Sequence, residues 1–349
     1  MSVHSGFDRR LFLRRTGLAM LAGVAGPGLL AACGDDDAGE AGGGGLKEVT
    51  FLNLVPIETM SMSVEMYADA SGIFEKNGLK VTFQVTKGAA QAIQTIVSGR
   101  ALVTRVGVVD VVTAAGDKGQ KVLNIGTYNE NYSQRIISAK TDPVTEPSDL
   151  VGKTMGVSSI GGTSDKTMSL MLVNEGFEPG QVKRQQVGLT PGTFELVRRG
   201  EIAAYNVSLD TSIIVSQQNA DAVSADFSEF VKSGGQVYAT TADLMSKERD
   251  ALASFVTSIG ESMTAIIADT ALDDTLRTLR TKYTFDALDD DTVAKESLKL
   301  LRDGWKAHDA TPLMTDTAHW SAAYDELVKA GMAKAGGTPA EWMTNDLLA

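Results

Sequence analysis

The order helix, strand, helix, strand occurs twice along this chain, and that repetition limits its possible folds more than any other feature. Phe74, Gly78, Val81, Val85, Gly99 and Ala101 recur in type and order as Phe177, Gly180, Val182, Val187, Gly200 and Ala203, with Phe-to-Gly separations of 25 and 23 residues. Ahead of the first copy, Val49 to Val55 reads as a buried strand, followed by a helix carrying Met66, Tyr67, Ala70, Ile73 and Phe74. Val81 to Val85 alternates as a strand does, and Ala90, Ile93, Ile96 and Val97 fall at helical spacing before the Ser98-Gly99 turn. Strands alternating with helices bury their apolar surface as a parallel sheet covered on both faces. A unit used twice predicts two such sheets.

Ile136 to Lys140 is predicted to leave the first unit and Gln236 to Thr240 the second, so two crossings and a hinge are expected. After Thr241 the pattern is wholly helical, with apolar stripes over Lys247 to Ala268, Leu272 to Tyr283, Asp291 to Lys306 and Thr317 to Ala330. Some three hundred residues with 43% hydrophobic content exceed what one core usually takes. The expected division is lobe I over 46–139 plus 241–349 and lobe II over 140–240.

The first 32 residues have a different character. A basic stretch, Arg9-Arg10-Leu11-Phe12-Leu13-Arg14-Arg15, precedes an apolar run from Thr16 to Leu30 and then Ala31-Ala32-Cys33. This is the pattern of a removable signal peptide, and the run is short of the roughly 20 residues of a membrane span. Asp8 to Arg14 resembles the twin-arginine export motif, with Asp where Ser or Thr is usual and Arg where Lys is usual. Leu30-Ala31-Ala32-Cys33 resembles a lipobox, which implies that Cys33 is diacylated and becomes the new N-terminus. Residues 33–45, acidic and glycine-rich, are expected to form a flexible tether.

The formal charge is −12, and the first 32 residues carry four Arg and one Asp, so the chain from Cys33 onward stands at −15. That argues against holding a nucleic-acid backbone by bulk electrostatics. With Cys33 the only cysteine, an intrachain disulfide is impossible, and three histidines, His4, His308 and His319, make a His-rich metal site improbable. No metal and no cofactor are expected.

Four further stretches resemble the periplasmic solute-binding proteins of ABC importers, in the group of sulfonate, taurine and nitrate binders and thiamine-pyrimidine-synthase-like proteins. They are Gly72 to Val81 (GIFEKNGLKV), Ser98-Gly99-Arg100-Ala101, Asp149 to Val157 (DLVGKTMGV) and Met343 to Leu347 (MTNDL). Leu102 stands where the family's second segment usually has Asp. The resemblance implies an α/β, two-lobed, periplasmic-binding-protein-like (type II) fold, two doubly wound sheets joined by two hinge strands. It also implies a monomer that closes on a small molecule and docks on permease subunits, held by its lipid at the outer face of the cytoplasmic membrane.

Ligands of open α/β sheets sit beyond the carboxyl ends of strands. On the first lobe that rule selects Glu58, Met60, Arg105, Tyr128, Asn129, Glu130 and Tyr132, and on the second Gly161, Gly162, Thr163, Ser164, Asn206 and Asp210. The Gly161 to Ser164 turn is either an anion site at a helix N-terminus or an ordinary cap. Arg105 has the planar fork for a carboxylate or sulfonate, or is a surface arginine. Glu58, Glu130 and Asp210 favour a donor-bearing ligand such as an aminopyrimidine, or pair with Arg105. Tyr128, Tyr132 and Tyr205 offer rings for stacking, or pack the core. The expected ligand is a sulfonate or aromatic carboxylate, and next a pyrimidine or other vitamin precursor.

An enzyme is the first rival, because the fold also carries desulfinase-like and pyrimidine-synthase-like chemistry that relies on cysteine. Once Cys33 is acylated no cysteine remains for it, and no Gly-x-Ser-x-Gly or His-Glu-x-x-His stretch occurs. A surface lipoprotein without a transport role is the second rival, and it has no need of a hinge or of paired units. No catalytic residue is expected.

Overall fold

The computed structural model describes residues 45–306 and 311–348. The expected signal segment, Cys33 and most of the tether lie outside the described residues.

Two mixed five-stranded sheets form the framework. The first is built from β1 (Lys47–Asn53), β2 (Leu79–Val85), β3 (Val103–Gly107) and β4 (Val122–Asn129), and the second from β5 (Arg135–Ala139), β6 (Thr154–Val157), β7 (Lys183–Gln186), β8 (Ala204–Val207) and β9 (Ala222–Asp226). The last strand, β10 (Gln236–Thr241), returns to the first sheet. The orders are β2-β1-β3-β10-β4 and β7-β6-β8-β5-β9. In each, three parallel strands are followed by one that runs antiparallel to both its neighbours, β10 between β3 and β4, β5 between β8 and β9. The doubled unit read from the sequence is thus a doubled sheet topology, and the fold is of the periplasmic-binding-protein type.

The crossings fall earlier than the sequence suggests. Ile136 to Ala139 already pairs with β8 and β9, and Gln236 to Thr240 already pairs with β4. The chain therefore passes between the sheets at 130–134 and 227–235, outside the apolar strands on which sequence reasoning had placed the hinge. These strands are apolar because they are buried inside a sheet. The two passages touch backbone to backbone: a Cβ on Gly235 would lie 2.6 Å from the Glu130 carbonyl oxygen, and one on Gly234 would lie 3.1 Å from Tyr132 Cα. Only glycine permits that approach.

In the first half, α1 (Ser63–Ala70), α2 (Ile73–Lys76), α3 (Ala89–Val97) and α4 (Val108–Val112) link the strands, and in the second α5 (Thr163–Asn174), α6 (Phe194–Arg198) and α7 (Leu209–Gln218) do so. The tail adds α8 (Ala242–Lys247), α9 (Arg249–Ala268), α10 (Asp273–Leu279), α11 (Asp286–Asp289), α12 (Asp291–Lys306) and α13 (Thr317–Lys329). By length and composition α9 is apolar enough to cross a membrane, yet its stripe of Leu252, Phe255, Val256, Ile259, Met263 and Ile266 is buried in the protein. Phe255 stacks on Phe51 of β1 and on Phe74 of α2, with ring centroids 5.6 and 5.8 Å apart. That is how the tail covers the first sheet.

Candidate functional site

The parallel strands of both sheets end around one cavity of about 640 Å³. Asn53 closes β1 and Arg105 lies near the end of β3; Ser158 and Ser159 follow β6, and Ser208 follows β8. Tyr132, Ser133 and Gln134 of one crossing and Gly234 and Gln236 around the other complete the wall. A cavity of this volume holds a drug-sized molecule.

Two carboxylates join the walls across the cleft. Asp210, in the first turn of α7, accepts hydrogen bonds from Thr59 Oγ1 and the Met60 N–H, each at 3.1 Å. Thr59 is held in place because it caps the short turn Met60–Met62. In the opposite direction Asp110, buried on α4, accepts from Thr163 Oγ1 at 2.5 Å and Lys166 Nζ at 2.7 Å on α5. Gly107 permits this approach, since a Cβ there would lie 2.4 Å from Thr163 Cγ2.

Arg105 lines the cavity but its charge is internally matched. Its Nη1 donates to Glu65 Oε1 at 2.8 Å, its Nη2 donates to the Ser61 carbonyl at 2.9 Å, and the guanidinium lies 4.1 Å above the Tyr128 ring. Burial acts to lower the Arg105 pKa, and the Glu65 carboxylate together with the neighbouring Tyr128 and Tyr238 hydroxyls outweighs it and raises the pKa above its ordinary value. Tyr238 Oη also donates to Glu65 Oε1, at 2.7 Å. Burial, reinforced by the Glu65 charge, holds that phenol well above its usual range, so it stays protonated and keeps donating. This buried group of Glu65, Arg105, Tyr128 and Tyr238 is a rigid floor. The partner of Arg105 is Glu65, so of the two alternatives the sequence offers for Glu58, Glu130 and Asp210, pairing with Arg105 is not what the structure shows.

The Gly161 to Ser164 turn is also largely engaged. Gly161, at φ +73°, donates its N–H to Asp165 Oδ2 at 2.8 Å, the Gly162 N–H goes to the Ser159 carbonyl at 3.1 Å, and Thr163 serves Asp110. Asp165 is held from the other side by Arg184 Nε at 2.7 Å. Ser164 Oγ differs. It is buried without a hydrogen-bond partner among the described residues, and Ser164 lines the cavity.

Of the residues expected from sequence, the structure gathers Glu58, Arg105, Tyr132, Thr163, Ser164 and Asp210 on the cavity wall. Met60 is fully buried in the core and contributes only its N–H. Tyr128 lies behind Arg105 with its Oη on the Ser61 carbonyl at 2.9 Å, and Asn129 holds the Gln236 N–H at 2.8 Å. Glu130 Oε2 stands 3.7 Å from His319 Nδ1, away from the cavity. Gly161 and Gly162 shape the turn without lining the wall. Asn206 stands one layer back, donating from Nδ2 to Gln134 Oε1 at 2.9 Å.

Sequence reasoning missed Asn53. It is 2% exposed, it lines the cavity, and neither Oδ1 nor Nδ2 of its carboxamide has a hydrogen-bond partner among the described residues. Its signal in the sequence was a polar residue directly after the apolar run Phe51-Leu52, at the carboxyl end of the first strand.

Residues 61–271 match the family model described as NMT1/THI5 like. The chain belongs to the NMT1/THI5-like family. Among solved structures, a protein from Bordetella bronchiseptica superposes with a TM-score of 0.71 at 17% identity, covering 86% of this chain and 95% of its own. The alkanesulfonate-binding protein SsuA of Xanthomonas axonopodis, bound to MOPS, gives a TM-score of 0.64 at 10% identity, covering 85% of this chain and 98% of its own. The periplasmic nitrate-binding protein NrtA of Synechocystis gives 0.60 at 13% identity, covering 86% and 87%. The desulfurization enzyme DSZB shares the fold at a TM-score of 0.53 and 12% identity, covering 86% and 97%. No curated protein matches this chain. At these identities the likeness speaks for the fold, and the site must speak for the function.

Proposed function

We propose that this chain is the extracytoplasmic solute-binding component of an ABC importer, which captures a small organic molecule between its two sheets and hands it to a membrane permease. The observation that carries this is the cavity itself. It takes wall residues from both sheets and from both crossings, and Asp110 and Asp210 bridge it across the cleft. A cleft so built can open at the crossings and close on a ligand.

The lipid on Cys33 and the tether would keep one copy of the chain beside its permease at the outer face of the cytoplasmic membrane, raising its local concentration there. The binding proteins for alkanesulfonate and nitrate that share the fold support transport over chemistry. The desulfinase-like and pyrimidine-synthase-like readings rely on cysteine, and the chain's sole thiol is on Cys33, ahead of the described residues.

A thermal-shift screen of the full chain in mild detergent against sulfonates, aromatic carboxylates, pyrimidines and flavins tests the proposal. At least one compound is expected to raise the melting temperature in proportion to the logarithm of its concentration. If none does, solute capture is wrong; if the bound compound is chemically converted, the chain is an enzyme.

A further inference from the structure

We infer that the solute presents an uncharged edge with a donor and an acceptor side by side, as an amide, lactam or imide does, and that Asn53 reads that edge. This rests on the cavity being the solute site.

Buried polar groups are nearly always paired, yet both ends of the Asn53 carboxamide lie buried at the cavity wall with no partner among the described residues. A carboxamide offers one acceptor oxygen and an NH₂ donor a fixed distance apart. A partner with the reverse arrangement satisfies both ends at once. A carboxylate or sulfonate has acceptors only, so it satisfies Nδ2 and leaves Oδ1 facing another oxygen.

The charges of the wall point the same way. Its one cation among the described residues, Arg105, is held by Glu65 at 2.8 Å. Its acids are Glu58 and Asp286, both exposed, and Asp210, buried and already accepting from Thr59 and Met60. An anion entering this cavity meets three carboxylates and a matched guanidinium. An uncharged head group meets no such opposition, and Ser164 Oγ gives it one more partner of either sense. Phe51, Met62, Leu189 and Ile214 supply apolar wall for the rest of the molecule.

The test holds the body of the probe constant and changes only its head. The full chain in mild detergent is titrated by calorimetry with 2-naphthamide, 2-naphthoate and naphthalene-2-sulfonate, and the molecule released from freshly purified chain by heat is identified by mass spectrometry. The amide is expected to bind at least tenfold more tightly than either anion. Asn53→Leu is expected to abolish that preference, with Asn53→Ala as the smaller uncharged alternative should the leucine variant not fold. Either anion binding as tightly as the amide, an Asn53 variant that keeps the preference, or an anionic released molecule overturns the inference while leaving solute capture standing. If no probe binds and no molecule is released, solute capture falls, and the inference with it.

Discussion

Replacing Glu65 by glutamine should destabilise this protein far more than its single lost charge suggests. The carboxylate is fully buried, the side chain of its partner Arg105 is 6% exposed, and 2.8 Å separates them. Removing one member of a buried pair leaves the other uncompensated, at about 3–5 kcal/mol. Glutamine keeps an oxygen for Arg105 Nη1 and Tyr238 Oη, and Arg105 retains the Ser61 carbonyl, so the low end, about 3 kcal/mol, is expected. Urea unfolding of the full chain, followed by tryptophan fluorescence, reads this as a fall in midpoint of about 1 M for a slope of about 3 kcal/mol/M. Combining Glu65→Gln with Arg105→Met removes the stranded charge and should recover most of the loss. If the single substitution costs under about 1 kcal/mol, or the two losses merely add, Arg105 is not matched inside the floor and is free to hold a ligand.

Three other outcomes follow from the geometry. Gly107→Ala forces a Cβ to 2.4 Å from Thr163 Cγ2 and should lower stability by about 1–3 kcal/mol, and adding Thr163→Ser, which removes that methyl while keeping the hydroxyl, should restore most of it in thermal unfolding. Asp110→Ala leaves Lys166 and Thr163 without their partner across the cleft; small-angle scattering of the unliganded variant should show a larger radius of gyration than wild type, and equal radii would remove the bridging role. Asp269 accepts the N–H groups of Leu272 and Thr275. Partial burial acts to raise its pKa, but those hydrogen bonds prevail and lower it below the ordinary 3.8. Its folded pKa being the lower one, its contribution is complete above the unfolded value and is lost as the pH falls through the folded value. Asp269→Ala should therefore be less stable than wild type at pH 7, with the gap closing only below about pH 4.

Much of the fold was legible because it rests on local periodicity. The repeat from Phe74 to Ala101 and from Phe177 to Ala203 reports two copies of one supersecondary unit, and the stripes after Thr241 report helices that cover a sheet. The crossings were misplaced because Ile136 to Ala139 and Gln236 to Thr240 are as apolar as any other sheet strand. What marks the passages is instead the pair Gly234-Gly235, whose need for close approach only the three-dimensional structure reveals. The site was half legible. The rule of strand ends found Glu58, Arg105, Tyr132, Thr163, Ser164 and Asp210, since that rule concerns topology. It did not show that Arg105 is matched by Glu65, 40 residues earlier on another element, or that Asp110 reaches α5 across the cleft. Such pairings depend on distant segments meeting, and no local pattern encodes them.

The most direct test of solute capture takes the molecule that leaves the full chain on heating, returns it to fresh chain in equilibrium dialysis, and weighs it again afterwards. Solute capture predicts saturable binding of one molecule per chain, recovered with its mass unchanged. Recovery of a chemically altered molecule, or no saturable binding, would contradict it.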